Sequence, residues 1–474
     1  MDTGKSALRV FAARIGSSTI SFIGLAIFAN LLGAAELGLF FIFQSLLGMM
    51  SIPADLGLRQ ALEKRLSESQ DSTHLFTGLV LKAIPLSIVS ILAFTFRSQI
   101  NSYAGGEIAG LLIVGLVVQE LSSTFLKVVN SELRVAKTAP VRFLQTAIWF
   151  GFGIYLILFA GYRTGVVLII SLIVGLFVVF IIAFRMSRTE ISMQINIEDA
   201  ESLISFGKYS LLGSLGGFVY NWMDVLLVGY FLSNSFVGMY ETAWRVTVLV
   251  LLLPRAIWMA IYPQFNSWYN KNHIMKIESM VGKMVVPAII LPVPAIIGVA
   301  FLSTDILSLI FGGEFVVAST VLVMLMVEQL TRSVFLLYQA TLDAVNLPHL
   351  NAKSTIVSII LNLILNLLLI PVLGLIGAAV ATLSSSVVRT VICGYYTHSN
   401  YIIKYDWIPI IWCLISGGAM GGLLWASTTF VNVDSIGVLL SVVVFHGLVY
   451  VGILLLSSRT RSTLMEVYHG EISA

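Results

Sequence analysis

Long apolar runs separated by short polar turns follow one another along the whole chain. A helix needs about 20 apolar residues to cross the hydrocarbon core of a bilayer, and these runs are that long. Barrel strands would be shorter and would alternate apolar with polar side chains, which the runs do not. The pattern predicts an all-α membrane protein with about fourteen transmembrane helices. The predicted spans are residues 8–32, 38–58, 76–97, 108–129, 142–161, 165–185, 204–231, 238–262, 283–302, 318–343, 348–371, 375–397, 408–429 and 436–457.

The turn after the first span has an echo near the middle of the chain. Residues 31–40 read LLGAAELGLF and residues 231–240 read FLSNSFVGMY, so that Gly38 matches Gly238. An even number of spans separates the two turns, which predicts parallel repeats that meet around a central pathway. The predicted domains are an N-terminal lobe of helices 1–6 (residues 1–200), a C-terminal lobe of helices 7–12 (201–400), and helices 13–14 with a tail (401–474).

Composition and charge placement support a polytopic membrane protein. Of the 474 residues, 58% are hydrophobic and only 11% are charged, whereas soluble domains carry roughly 25% charged residues. When both termini are placed in the cytoplasm, nearly all Lys and Arg residues fall on the cytoplasmic side, and only Arg97 and Arg163 fall outside. This asymmetry follows the positive-inside rule. We therefore predict a multi-pass protein of the cell membrane with cytoplasmic N- and C-termini.

Two pairs of charged residues lie within predicted spans and share one spacing. Glu241 precedes Arg245 by four residues, and Glu328 precedes Arg332 by four. On a helix, each pair shares one face in the favourable orientation. Charge inside a membrane is costly and usually faces a partner or a cavity. The sequence leaves open whether each pair only neutralises itself or also lines a cavity.

Other polar residues within spans carry separate predictions. Arg389 is in the middle of its span and is the best single candidate for a cation that faces a cavity, with Asp224 as a candidate partner. Asp55, near the inner end of the second span, is interpreted as a capping or interfacial acid. Asn362 and Asn366 share a helical face and are interpreted as joining helices by hydrogen bonds. The excess of cations suits an anionic cargo, because the planar guanidinium binds phosphate oxygens.

Several classes of chemistry have no signature in the sequence. There is no Walker A motif and no H-E-x-x-H motif, and the two cysteines, Cys393 and Cys413, have no metal-binding spacing. We therefore expect no catalytic residues, no metal site, no cofactor and no nucleic-acid partner. Transport would be driven by an ion gradient, by the gradient of the cargo, or by partners.

Several stretches resemble a known family over nearly the whole chain. They include NLLGAAELGLFFIFQSL, PADLGLRQAL, FGKYSLLGSLGGFVYNWMDVLLVGYFLSNSFVGMYETAWRV, IFGGEFVVAS and NLILNLLLIPVLGLIGAAVATLSS. These motifs, in this order, resemble the polysaccharide-exporter branch of the multidrug/oligosaccharidyl-lipid/polysaccharide flippase superfamily. The stretches YETAWRVT and TLDAVNLPHL look most like archaeal members linked to protein N-glycosylation.

The resemblance implies a flippase with two six-helix lobes in a V around a central cavity. It would move a polyprenyl- or dolichyl-(pyro)phosphate-linked oligosaccharide to the outer leaflet by alternating access, for surface polysaccharide assembly or N-glycosylation. Glycosyltransferases, a polymerase or an oligosaccharyltransferase of the pathway would be its partners. Family cavities carry cations on spans one, two and eight, which correspond here to Arg14, Arg59, and Arg245 or Arg255.

The predicted site therefore combines two sets of residues. The predicted cargo-binding cations are Arg14, Arg59, Arg245, Arg332 and Arg389. The candidates for counter-ions or for binding a coupling ion are Asp224, Glu241 and Glu328. Two alternatives stay open at this point. An ion-coupled multidrug or cation antiporter of the same superfamily should have an acidic cavity, and a membrane-embedded glycosyltransferase or polymerase should have a catalytic acid on a substantial outer loop.

Overall fold

The computed structural model describes residues 3–69, 72–132, 134–189 and 192–469, and the regular structure among them is helical. The α-helices are α1 Thr3–Leu32, α2 Ala34–Asp55, α3 Leu58–Ser69, α4 Ser72–Thr95, α5 Arg97–Ala104, α6 Ala109–Ser131, α7 Val135–Leu158, α8 Gly165–Met186, α9 Ile197–Phe231, α10 Asn234–Val248, α11 Leu252–Asn270, α12 Ile274–Ile289, α13 Pro292–Phe311, α14 Ser319–Ala344, α15 Pro348–Leu373, α16 Leu375–Asn400, α17 Trp407–Thr428, α18 Ile436–Leu454 and α19 Ser458–His469.

The helices confirm the predicted fold class. Among the described residues, 13 helical stretches are long and apolar enough to cross a membrane, and they coincide with thirteen of the predicted spans. The remaining predicted span, 204–231, lies in α9. Two spans are composite, because α10 continues into α11 and α12 continues into α13. The chain is a multi-pass membrane protein.

Sequence signals at the helix ends account for several boundaries. Gly33 separates α1 from α2 with a φ of 82°, a left-handed value that favours glycine. Asn196 begins α9, and its side chain accepts a hydrogen bond from the backbone N–H of Glu198. Asp406 caps α17 in the same way through the backbone N–H of Ile408. Such caps satisfy N–H groups that the first turn of a helix leaves without a partner.

The chain forms two compact units, Met1–Gly238 (unit 1) and Met239–Ala474 (unit 2). Aromatic packing fills part of unit 1, where Trp149 stacks on Phe40 with ring centroids 5.7 Å apart and meets the edge of Phe28 at 5.1 Å. In unit 2, α16 packs against both α14 and α15. The predicted lobe boundaries, which rest on the repeat, stay a prediction.

The two echoed turns contact each other within unit 1. A β-carbon on Gly38 would collide with the backbone carbonyl of Asn234, and one on Gly238 would collide with that of Ala34. Gly38 thus packs on Asn234, and Gly238 packs on Ala34, and these are corresponding positions of the two turns. Such reciprocal packing is typical of a self-complementary interface. Only glycine permits this approach of two backbones. The symmetry supports an internal repeat that starts at these turns.

A polar seam joins α15 to α16 in unit 2. The amide of Asn366 donates to Asn362 Oδ1 at 3.1 Å, and Asn362 donates to Thr382 Oγ1 at 3.4 Å. One turn away, Ser358 Oγ donates to the backbone carbonyl of Ser385 at 3.0 Å. Hydrogen bonds between helices are a normal means of association in lipid. The interpretation as a residue that joins helices is confirmed for Asn362, whereas the bond from Asn366 to Asn362 lies within α15.

Candidate functional site: two buried ion clusters

Unit 1 buries a group of four charged side chains where α2, α3, α4 and α6 meet. We call Asp55, Arg59, Lys82 and Glu120 the unit 1 network. Three of its members are almost fully buried: Asp55 is 2% exposed, Lys82 4% and Glu120 1%. Since buried ions are tolerated only when they are paired, each of these side chains depends on the others.

Lys82 is the centre of the unit 1 network. Its ammonium donates to Asp55 Oδ1 at 2.8 Å and to Thr124 Oγ1 at 2.7 Å, and it is 2.7 Å from Glu120 Oε2. Glu120 also accepts a hydrogen bond of 2.5 Å from Ser51 Oγ. The compact ammonium thus joins two carboxylates that lie far apart in sequence.

A tight turn brings Arg59 to the same carboxylates. Residues Leu56 and Gly57, between α2 and α3, have φ values of 49° and 78°, so the chain reverses its path within two residues. Asp55 then accepts from the backbone N–H of Arg59 at 3.2 Å, and Arg59 Nε lies 3.1 Å from Asp55 Oδ2. The other carboxylate, Glu120, is 3.9 Å from Arg59 Nε.

Opposite charges balance in the unit 1 network. Burial by itself lowers the pKa of Arg59, but the carboxylates of Glu120 and Asp55 outweigh it and raise the pKa. Two carboxylates face two cations, so the group carries no net charge. Such a neutral, paired group has a weak external field, and its ion pairs join four helices.

The structure adds two residues to the predicted charges. Asp55 caps the turn through the backbone N–H of Arg59, in accordance with one of its two interpretations, and its carboxylate is also buried and ion-paired. Sequence reasoning assigned Lys82 to the cytoplasmic side and overlooked Glu120 within its span. One signal was available, because Asp55 and Arg59 repeat the order and four-residue spacing of the two pairs that were recognised. The contacts of Lys82 and Glu120 are long-range and have no local signature.

Unit 2 buries a different group on α14 and α16. We call Glu328, Arg332 and Arg389 the unit 2 cluster. Glu328 is fully buried; it accepts from Gln329 Nε2 at 2.6 Å and from Ser386 Oγ at 3.1 Å. Coulombic attraction links Glu328 with Arg389, and repulsion links Arg389 with Arg332. The cluster thus contains one carboxylate and two mutually repelling guanidinium groups.

An aromatic ring fixes the position of Arg389. The guanidinium carbon lies 3.8 Å from the centroid of the Phe335 ring, which is one turn along α14 from Arg332 and two turns from Glu328. Arg389 itself is 8% exposed. Stacking on the ring face stabilises a cation without consuming its N–H donors. The guanidinium is thus held against the ring. Its N–H donors lie in its own plane and so remain outside the stacking contact.

The pair on α10 forms as predicted. Arg245 Nε donates to Glu241 Oε1 at 2.9 Å, which confirms local pairing of the two residues. Glu241 is 2% exposed, whereas Arg245 is 29% exposed. The carboxylate is therefore anchored in the interior of unit 2, and the guanidinium reaches toward its surface.

The remaining predicted residues, Arg14 and Asp224, both belong to unit 1. Arg14 is exposed on α1 and experiences repulsion from Arg142 on α7. Asp224 is half-buried on α9 in unit 1, so its predicted pairing with Arg389 of unit 2 stays a prediction. Among the residues that the structure describes, no three His, Cys, Asp or Glu side chains are placed to hold a metal ion.

Comparison with known proteins places this chain in a family. Residues 27–320 match the model of a family described as polysaccharide biosynthesis protein. A Haloferax volcanii protein named probable low-salt glycan biosynthesis flippase Agl15 is 39% identical over 465 residues, which cover 98% of each chain. The chain belongs to the polysaccharide biosynthesis protein family. This confirms the resemblance that the sequence motifs indicated.

Solved structures similar to this family member are transporters. The lipid II flippase MurJ, in an inward closed conformation, matches with a TM-score of 0.79 at 13% identity, covering 94% of this chain and 98% of that one. An inward-facing multidrug resistance transporter of the MATE family matches with a TM-score of 0.62 at 15% identity, covering 81% and 94%. At these identities the likeness concerns the fold, which is that of a MurJ- and MATE-like transporter.

Proposed function

We propose that this protein is a flippase that moves a lipid-linked oligosaccharide from the cytoplasmic to the outer leaflet of the cell membrane. The transporter fold and the extended similarity to a protein named as a glycan biosynthesis flippase support this function. In the proposed orientation both termini are cytoplasmic, in accordance with the distribution of Lys and Arg. The protein itself transfers no sugar.

The observation that carries the proposal is the proximity of two guanidinium groups in the unit 2 cluster. A lipid-linked oligosaccharide carries phosphate between its lipid and its sugar, and this phosphate must leave water during transfer. Arg332 and Arg389 provide two planar guanidinium groups against the single carboxylate of Glu328. Guanidinium binds phosphate oxygens in a bidentate manner and keeps its charge in an apolar environment. A phosphate would relieve the repulsion between the two arginines.

The other predicted residues take secondary roles in this proposal. Arg245, whose guanidinium is partly exposed beside Glu241, would guide the anionic head toward the unit 2 cluster. Arg14 would act in the same way from α1. Arg59 is bound by two carboxylates and would act on cargo less than on the stability of unit 1. Asp224, Glu241 and Glu328 are the proposed counter-ion or coupling-ion residues.

Reconstitution provides the test. Purified protein is placed in vesicles with a dolichyl-phosphate-linked oligosaccharide of short lipid chain, and a membrane-impermeant lectin reports the fraction of glycan that reaches the outer leaflet. We expect Arg389→Gln to slow transfer by about 10- to 100-fold, the loss expected for a charge-assisted hydrogen bond of about 1.5–3 kcal/mol. Arg389→Lys keeps the charge and should retain intermediate activity.

A matched control and a second cargo complete the experiment. Arg163→Gln removes an exposed arginine between α7 and α8 and should leave transfer unchanged. Vesicles with the wild-type protein that equilibrate no glycan, yet accumulate a cationic dye along a proton gradient, would contradict the flippase function. That outcome would favour the antiporter alternative.

A further inference from the structure

A polar groove lies in unit 1 at the ends of α5, α9 and α10. Its volume is about 910 Å³, within the range of roughly 300–1,000 Å³ common for ligand sites. The same end of unit 1 holds the turn between α1 and α2, and Arg97 at the start of α5 is one of the two basic residues that the charge distribution assigns to the outer side. In the proposed orientation, the groove opens to the outside of the cell.

The chemistry of the groove is neutral and rich in hydrogen-bonding groups. Of its twelve lining residues, all of them described, none is Asp, Glu, Lys or Arg. The lining includes the side chains of Ser98, Gln99, Ser102 and Ser233, none of which bonds to another residue in the described part of the chain. Hydroxyls and amides both donate and accept hydrogen bonds. This lining suits neither an isolated anion nor a cation.

The walls of the groove are fixed by hydrogen bonds. Asn234 Nδ2 donates to the backbone carbonyl of Ala104 at 2.7 Å, which ties the start of α10 to the end of α5. Tyr103 Oη donates to the carbonyl of Leu226 at 2.6 Å, which ties α5 to α9. Gly105 lets the helix ends approach closely, since a β-carbon there would lie 3.1 Å from Asn234 Nδ2. A site held in this way needs little ordering when a ligand binds.

One aromatic ring in the lining is turned to solvent. Tyr230 is 71% exposed although its ring meets that of Phe231 edge to face at 5.0 Å. A pyranose has one apolar face of C–H bonds and a rim of hydroxyls. The face packs on an aromatic ring, and the rim bonds to serine and glutamine side chains. Neutral hydroxyl and amide groups beside the exposed ring of Tyr230 therefore complement a pyranose.

We propose that this groove binds neutral hexose units of a glycan at the outer face of the protein. The choice of a glycan over other neutral ligands rests on the proposed flippase function. The residues of the groove belong to unit 1, whereas the cluster that would receive the phosphate belongs to unit 2. Binding of the sugar part after transfer would draw the cargo toward the outer leaflet and disfavour its return.

The test is binding of mannotriose to the full-length protein in phospholipid nanodiscs, where no sugar-based detergent competes. Saturation-transfer-difference NMR should show contacts at the pyranose C–H protons. Tyr230→Ala and Gln99→Ala should each weaken binding by at least about fivefold, the effect of losing roughly 1 kcal/mol at a principal contact. Tyr162→Ala removes another exposed tyrosine outside the groove and should leave binding unchanged.

Three results would overturn the proposal. These are the absence of saturation transfer to mannotriose, equal binding by the wild type and Tyr230→Ala, and binding of inorganic phosphate at the groove in place of sugar. The lectin assay distinguishes failure of glycan binding at the groove from failure of the flippase function. Normal glycan transfer without mannotriose binding would leave the flippase function intact and remove only the groove.

Discussion

Each half of the chain buries two cations among apolar helices, but the two groups differ in charge balance. In the unit 1 network, Lys82 and Arg59 face two carboxylates, and the central ammonium contacts both. In the unit 2 cluster, Glu328 attracts Arg389, and Arg389 repels Arg332. We propose two different purposes for the two groups. The unit 1 network would stabilise the fold, and the unit 2 cluster would bind an anion.

The largest expected effect is on stability, from removal of the central cation of unit 1. Lys82→Met keeps the length of the side chain but leaves Asp55 and Glu120 with only Arg59 as a cation. Breaking a buried ion pair by removing one partner costs about 3–5 kcal/mol. We expect a loss of folded protein in size-exclusion chromatography and a marked decrease in the thermal unfolding temperature.

A double variant provides the control for Lys82→Met. Adding Glu120→Gln removes one carboxylate together with the cation and leaves Asp55 paired with Arg59. The double variant should be more stable than Lys82→Met alone. Equal stability of the wild type and Lys82→Met would contradict the assignment of the unit 1 network to fold stability.

Removal of a cation from the unit 2 cluster should leave the thermal stability of the fold unchanged or increase it. Arg389→Gln removes one of two mutually repelling guanidinium groups and leaves Glu328 beside Arg332. We expect its thermal unfolding temperature to match or exceed that of the wild type, although transfer is slowed. A destabilisation as large as that of Lys82→Met would show that the two groups do not differ as described.

A smaller effect is expected from the residue that orients Glu328. Ser386 Oγ donates to Glu328 Oε1 at 3.1 Å, and a hydrogen bond to a charged group contributes about 1.5–3 kcal/mol. Ser386→Ala should therefore decrease the free energy of unfolding by that amount in urea titration. Ser416→Ala is a matched control, because this buried serine bonds only to the carbonyl of Trp412 in its own helix and should cost less.

The smallest effect is expected at an ion pair outside the spans. Partial burial by itself raises the pKa of Glu132, but the backbone N–H of Arg188 and the side chain of Arg134 outweigh it and lower the pKa. A lowered pKa means that the stabilisation is complete above the ordinary glutamate value of about 4.3 and is lost as pH falls through the lowered value. The stability difference between wild type and Glu132→Gln should follow this course. An increase of the difference toward low pH would contradict it.

The sequence predicted the helices and the local pair on α10 well. Length and hydropathy determine a membrane helix almost without tertiary context, so every predicted span coincides with a helix. Glu241 and Arg245 were predicted as a pair because four-residue spacing places them on one helical face. The echo at Gly38 and Gly238 marked a real contact, because both turns need glycine for close backbone approach.

Tertiary contacts account for what the sequence did not predict. Lys82 meets Asp55 and Glu120 only because α2, α4 and α6 pack together, and no periodicity encodes that meeting. A lysine near a span end satisfies the positive-inside rule whether its ammonium reaches water or an interior carboxylate. The polar groove has no local signature for the same reason, since its serines come from α5, from the turn before α10 and from α10 itself.

We expect the unit 1 network to determine the stability of the fold and the unit 2 cluster to determine the rate of glycan transfer. The most direct measurement compares, in one set of vesicles, lectin-detected glycan transfer by Arg389→Gln and by the double variant Lys82→Met/Glu120→Gln, both normalised to folded protein. We expect glycan transfer by Arg389→Gln to be slowed by about 10- to 100-fold. The double variant should transfer glycan at a rate close to that of the wild type. The reverse order, with normal transfer by Arg389→Gln and lost transfer by the folded double variant, would contradict it.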